Sequence, residues 1–144
     1  MAVLFGSTVA GALVLAALGG VHIYWAGGGR LGTGAVIPER DGRRLFSPSP
    51  GATLLVAALL MAGSACLLAR AGVVGRGLPS GLSEWGTRAM ATAFLLRAIG
   101  DFRYVGFFKR VHGSRFAFWD TRLYSPLCVL LFLACMTALL SPRP

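Results

Sequence analysis

Acidic side chains are scarce. Five Asp and Glu stand against fourteen Lys and Arg in 144 residues, and charged residues of both signs make up only 13 % of the chain. A soluble domain carries about 25 % charge. This chain lacks the polar surface to cover a water-facing globule. With 56 % hydrophobic residues and a mean hydropathy of +0.70, its expected solvent is lipid. Cysteine is scarce as well. Cys66, Cys128 and Cys135 all sit inside apolar runs, with no CxxC spacing. That excludes a disulfide framework and a thiolate metal or redox site. His22 and His112 are isolated, so no zinc spacing is present and no metal or cofactor is expected. The glycine-rich GGGRLGTG segment has no following Lys-Ser/Thr and no preceding strand, so it fails as a phosphate loop and reads as flexible linker. The net charge of +9 comes without a basic stripe or nucleic-acid motif. The cations lie between apolar runs, where they suit anionic lipid headgroups.

Four apolar runs are present. They predict an all-α, four-transmembrane-helix bundle forming a single domain over 1–144, with spans at about 3–25, 52–71, 86–108 and 122–140. The first run has no basic region before it and exceeds signal-peptide length, so it is expected to be retained. Its Gly6, Gly11, Gly19 and Gly20 suit close helix contact in lipid. Ser83 is the expected N-cap of the third span, Asp120 that of the fourth, and Pro126 falls in the fourth span's first turn or so. Interface anchors are Tyr24, Trp25, Lys109, Arg110, Arg115 and Trp119.

The third run is the unusual one. Arg88 and Lys109 lie 21 residues apart, about 31 Å of helix, which places Arg97 near the midplane and Asp101 one turn further on. Each charge costs roughly 2.5–3.5 kcal/mol at the centre, while each large apolar residue returns about 0.3–0.6 kcal/mol. The sums nearly cancel, so this helix should need its neighbours to insert. Arg97 and Asp101 are spaced i,i+4 and share a helix face with Tyr104 and Phe108.

Four spans put loops 26–51 and 109–121 on one side with eight basic residues: Arg30, Arg40, Arg43, Arg44, Lys109, Arg110, Arg115 and Arg122. The other side has Arg70, Arg76, Arg88 and Arg143. The excess predicts a multi-pass protein of the cell membrane with those loops cytoplasmic and both termini outside. The same topology gathers His22, Arg97, Asp101, Tyr104 and Asp120 at the inner mouth of the bundle as a candidate polar pocket.

Three motifs, HIYWAGGG, RAIGDFRYVGFFKR and FAFWDTRLYSPLC, resemble a bacterial family of small membrane proteins catalogued as domain of unknown function 3995. The resemblance runs from His22 to Cys128. It implies a four-span integral membrane protein and supplies no activity, substrate or catalytic residue. Three functions compete. The pocket could bind an amphiphilic, lipid-like ligand, with His22 and a carboxylate available for proton transfer. The chain could be a small proton-coupled transporter, as a homodimer, with Asp101 as coupling carboxylate. Or it could be a non-catalytic membrane subunit in which Arg97 and Asp101 form a structural pair. Whether the chain is an enzyme is left open.

Overall fold

In lipid a backbone must satisfy its own hydrogen bonds, which leaves a long apolar run helix as its one open-chain solution. The computed structural model, which describes residues 2–40, 42–74 and 79–141, follows this rule. Helix α1 (Ala2–Ala26) leads to the short helix α2 (Thr33–Val36) and a two-residue hairpin, β1 (Glu39–Arg40) with β2 (Arg43–Arg44). Helices α3 (Pro50–Arg70) and α4 (Ser80–Ile99) follow. After an irregular stretch, α5 (Arg115–Trp119) runs through a wide π turn (Asp120–Tyr124) into α6 (Ser125–Leu140). Among the described residues, three helices are long and apolar enough to cross a membrane: Val3–Ala26, Pro50–Arg70 and Arg115–Leu140. Helix α4 has the length, 20 residues or about 30 Å, but carries Glu84, Arg88 and Arg97.

Helix α1 packs on α3 and α6, and α4 packs on α3 and α6. Leu15, Leu67, Leu131 and Cys135 meet at the centre, with Ala12 and Ala91 between them. Small residues set the separations. A Cβ on Gly11 would come within 2.7 Å of the Ala134 Cβ, so α1 and α6 touch there almost backbone to side chain. Of the four α1 glycines, Gly11 and Gly19 sit at helix contacts, whereas Gly6 and Gly20 face open space. Ser64 donates to the Ala12 carbonyl at 2.8 Å, a polar tie between α3 and α1 of the kind that lipid favours.

Several expectations need correction. The third apolar run is not helical to residue 108. Helix α4 starts earlier, at Ser80, and stops at Ile99, because Gly100 turns the chain at φ +88°. Ser83 is therefore inside α4, where its hydroxyl donates to the Ser80 carbonyl, and Pro79 holds the N-cap position. The last helix begins at Arg115, not Arg122. Ser114 caps it by accepting from the Ala117 amide at 3.0 Å, so Asp120 is not its cap. Pro126 consequently lies deep in a continuous helix. Its missing N–H and its ring both disturb the preceding turn, and the π turn absorbs the mismatch, with the Ser125 amide reaching back to the Asp120 carbonyl. Loop one is not plain linker, since it carries α2 and the β hairpin. Arg76 and Arg143, used in the charge count, lie outside the described residues.

Candidate functional site

Three separate clusters take up the distinctive residues. The first is built on Asp101. Past the end of α4, its Oδ1 accepts from the amides of Arg103, Tyr104 and Val105 at 2.9, 2.7 and 2.9 Å. This is a short polar side chain bonding its own backbone, the standard device of a tight loop. Phe102 takes φ +59° within it. Two glycines close the loop. A Cβ on Gly100 would overlap the Val105 carbonyl, and one on Gly106 would overlap the Ile99 carbonyl and Gly100. The expected Arg97–Asp101 helical pair therefore does not form, and Tyr104 and Phe108 do not extend a helix face, because the chain leaves the helix between Arg97 and Asp101. Tyr104 instead lies under the Arg103 guanidinium, 5.2 Å from ring centroid to Cζ.

Asp101 is exposed, and what burial it has opposes ionisation. The hydrogen bonds from Tyr104, Val105 and Arg103 outweigh that and hold its carboxyl below the usual carboxylate range. The folded-state value is depressed, so this bonding stabilises the loop above the unfolded value and is lost as pH falls through the folded one. Asp101→Ala should lower the melting temperature in mild detergent at pH 7. The gap to wild type should close as the pH is taken below about 4. A gap independent of pH would show that the carboxylate charge is not what holds the loop.

The second cluster surrounds Asp120, which is fully buried. The Asp101 loop delivers its partners. Arg97, in the last turn of α4, donates from Nη2 to Oδ1 at 2.7 Å. The Gly106 amide donates to Oδ2 at 2.8 Å, and Lys109 Nζ to the same oxygen at 3.0 Å. Lys109 also donates to the Gly106 carbonyl at 2.9 Å and to Thr121 Oγ1 at 2.6 Å, which uses all three of its N–H bonds. Lys109 was expected as an interface anchor. It is instead buried with its side chain fully covered, because a carboxylate in the protein interior compensates it. Two cations face one anion here. Arg97 Nη1 and Ser125 Oγ are buried without a hydrogen-bond partner among the described residues.

The third cluster contains His22. A cavity of about 630 Å³ lies between the end of α1 and the start of α3, under loop one. His22, Trp25, Arg30, Arg44, Phe46 and Val56 are among its lining residues, and none of Arg97, Asp101, Tyr104 or Asp120 is. His22 Nδ1 is 2.8 Å from the Leu18 carbonyl. A carbonyl only accepts, so Nδ1 carries a proton and Nε2 is left for other partners. Trp25 stacks edge-on against His22 and donates to the Leu31 carbonyl at 2.7 Å. In the sequence Arg30 and Arg44 stand out only as topology charges. Their place at this cavity had no signal in spacing, since it depends on the path of loop one.

The five residues expected in one pocket are thus divided. Arg97 and Asp120 are brought together, Asp101 and Tyr104 share the adjoining loop, and His22 lines a different space. Loops one and three do meet. Tyr124 donates to the Ala35 carbonyl at 3.2 Å, and α2 packs on α5. Of the other expected anchors, Tyr24, Arg110, Arg115 and Trp119 are exposed and Trp25 is half-buried at the cavity.

The family model described as Protein of unknown function (DUF3995) matches residues 13–135, so the chain belongs to that family. No curated protein matches the chain. No solved structure matches it.

Proposed function

We propose that this member of the DUF3995 family is a four-span integral protein of the cell membrane that holds an amphiphilic molecule in the cavity between α1, α3 and loop one. The observation that carries the reading is the cavity itself. Trp25, Phe46 and Val56 give it an apolar wall, and His22, Arg30 and Arg44 give it polar groups. It lies where α1 ends and α3 begins, at the depth where a lipid-like molecule changes from chain to head. A few convergent polar groups in a mostly apolar concavity are the usual form of a small-molecule site.

Helix α4 is the fourth span in this reading. Its length suits a bilayer, and the pairing of Arg97 with Asp120 removes much of the cost of its least tolerable charge. The contact of loop one with loop three supports a shared side for both, and the positive-inside excess favours the cytoplasm for that side. The exposed Arg43, Arg110 and Arg115 suit anionic headgroups there. Neither Asp101 nor Asp120 supports proton coupling. Asp101 caps an exposed loop, and both oxygens of Asp120 are occupied by donors. The saturation of Asp120 favours a structural role for the charged cluster.

Val56→Trp would fill the cavity from the α3 side. Purified in mild detergent, this variant should keep the wild-type melting temperature and lose most co-purifying amphiphile, read by mass spectrometry of the extracted protein. Unchanged retention would contradict the assignment.

A further inference from the structure

Two guanidiniums and one imidazole meet at the cavity, and no acidic residue is among the described residues lining it. Arg30 and Arg44 form no ion pair or side-chain hydrogen bond among the described residues. This contrasts with Arg70, Arg88 and Arg97, whose guanidiniums bond to carbonyls or carboxylates. Arginine's planar fork matches phosphate oxygens two at a time. Two uncommitted forks at one concavity ask for a ligand with more acceptor oxygens than a single carboxylate offers. His22 adds a third contact. With Nδ1 committed to the Leu18 carbonyl, Nε2 either accepts the proton of a monoanionic phosphate or, as imidazolium, donates to the dianion.

We infer that Arg30, Arg44 and His22 recognise a phosphate monoester group, and that the apolar wall of Trp25, Phe46 and Val56 takes the hydrocarbon attached to it. The inference rests on the amphiphile reading above and adds the chemistry of the head. The size of the cavity, about 630 Å³, lies within the 300–1,000 Å³ usual for small-ligand sites. It suits the head and upper chain of a single-chain amphiphile, with the remaining chain leaving toward lipid.

The test uses the full-length protein in mild detergent and three probes: a single-chain lysophosphatidic acid, the neutral monoacylglycerol of the same chain length, and inorganic phosphate. Binding is followed by native mass spectrometry and by tryptophan fluorescence, since Trp25 lines the cavity. The phosphate amphiphile should bind about ten-fold or more tightly than its neutral counterpart. Arg30→Gln with Arg44→Gln should abolish that difference, bringing the affinity for the phosphate amphiphile down to that for the neutral one. Both side chains are solvent-facing, so the double variant should fold. An unchanged melting temperature checks this, and Arg30→Lys with Arg44→Lys should restore part of the preference. Equal binding of the two amphiphiles by wild type would overturn the phosphate assignment and leave the amphiphile reading standing. Arginine-dependent binding of inorganic phosphate as tight as that of the amphiphile would keep the phosphate site and overturn a lipid source. Binding of none of the three would overturn both readings.

Discussion

Asp120→Asn should cost most of the folded protein recoverable in mild detergent, with a destabilisation of about 3–5 kcal/mol. The replacement keeps the shape and still fails. Every neighbour of the carboxylate is a donor: Arg97 on one oxygen, the Gly106 amide and Lys109 on the other. Whichever way the new amide turns, its NH2 faces an N–H donor where a carboxylate oxygen had accepted. The lost negative charge also leaves Lys109 buried and uncompensated, with Arg97 beside it. Marginal stability of about 5–15 kcal/mol is usual for a domain, so the loss should be visible as aggregation during extraction. Size-exclusion chromatography of the solubilised protein measures it. A monodisperse Asp120→Asn variant at wild-type yield would show that the buried cations find other partners.

Gly106→Ala should be nearly as damaging, for a different reason. Gly106 holds φ +87°, a conformation that costs a residue with a side chain about 1–3 kcal/mol. A methyl group there would also overlap the Ile99 carbonyl and the Gly100 backbone. Backbone cannot rotate away as a side chain can, so the 100–106 loop must open. The Gly106 amide then moves off Asp120 and takes its hydrogen bond with it. A melting temperature far below wild type is expected, together with faster proteolytic cutting in the 100–114 segment. Gly113→Ala is a fair control, because a Cβ at Gly113 would meet open space, although φ there is +125° and some strain remains. Equal effects at the two positions would mean that the positive φ, not the crossing of Gly100 and Gly106, sets the cost.

The apolar runs gave away three of the long helices, since helix is the open-chain form that satisfies its own backbone in lipid. The Arg97–Asp120 contact was half legible. Both residues belong to the candidate pocket read from the sequence, but i,i+4 spacing favours Asp101 as the partner of Arg97. Gly100 decided the matter by ending α4 at Ile99, two residues before Asp101. A glycine beside an aspartate is a turn signal as much as a gap in a helix, and here the turn won because the Asp101 carboxylate could bond three amides in a row. Lys109 was misread for the same cause. Counted along a straight helix it reaches the interface, while the loop folds it back onto Asp120. The cavity was least legible. His22 stood out, but Arg30 and Arg44 join it only through the fold of a loop that composition alone described as linker.

If the charge cluster is structural and the ligand cavity separate from it, one variant shows this directly: Arg97→Leu with Lys109→Met and Asp120→Leu. Removing all three charges together leaves no buried ion unpaired, so this protein should be recovered largely folded where Asp120→Asn is not. The decisive measurement is its retention of co-purifying amphiphile. Wild-type retention is the predicted result. A folded triple variant that has lost the amphiphile would contradict the account and move the binding site to Arg97, Lys109 and Asp120.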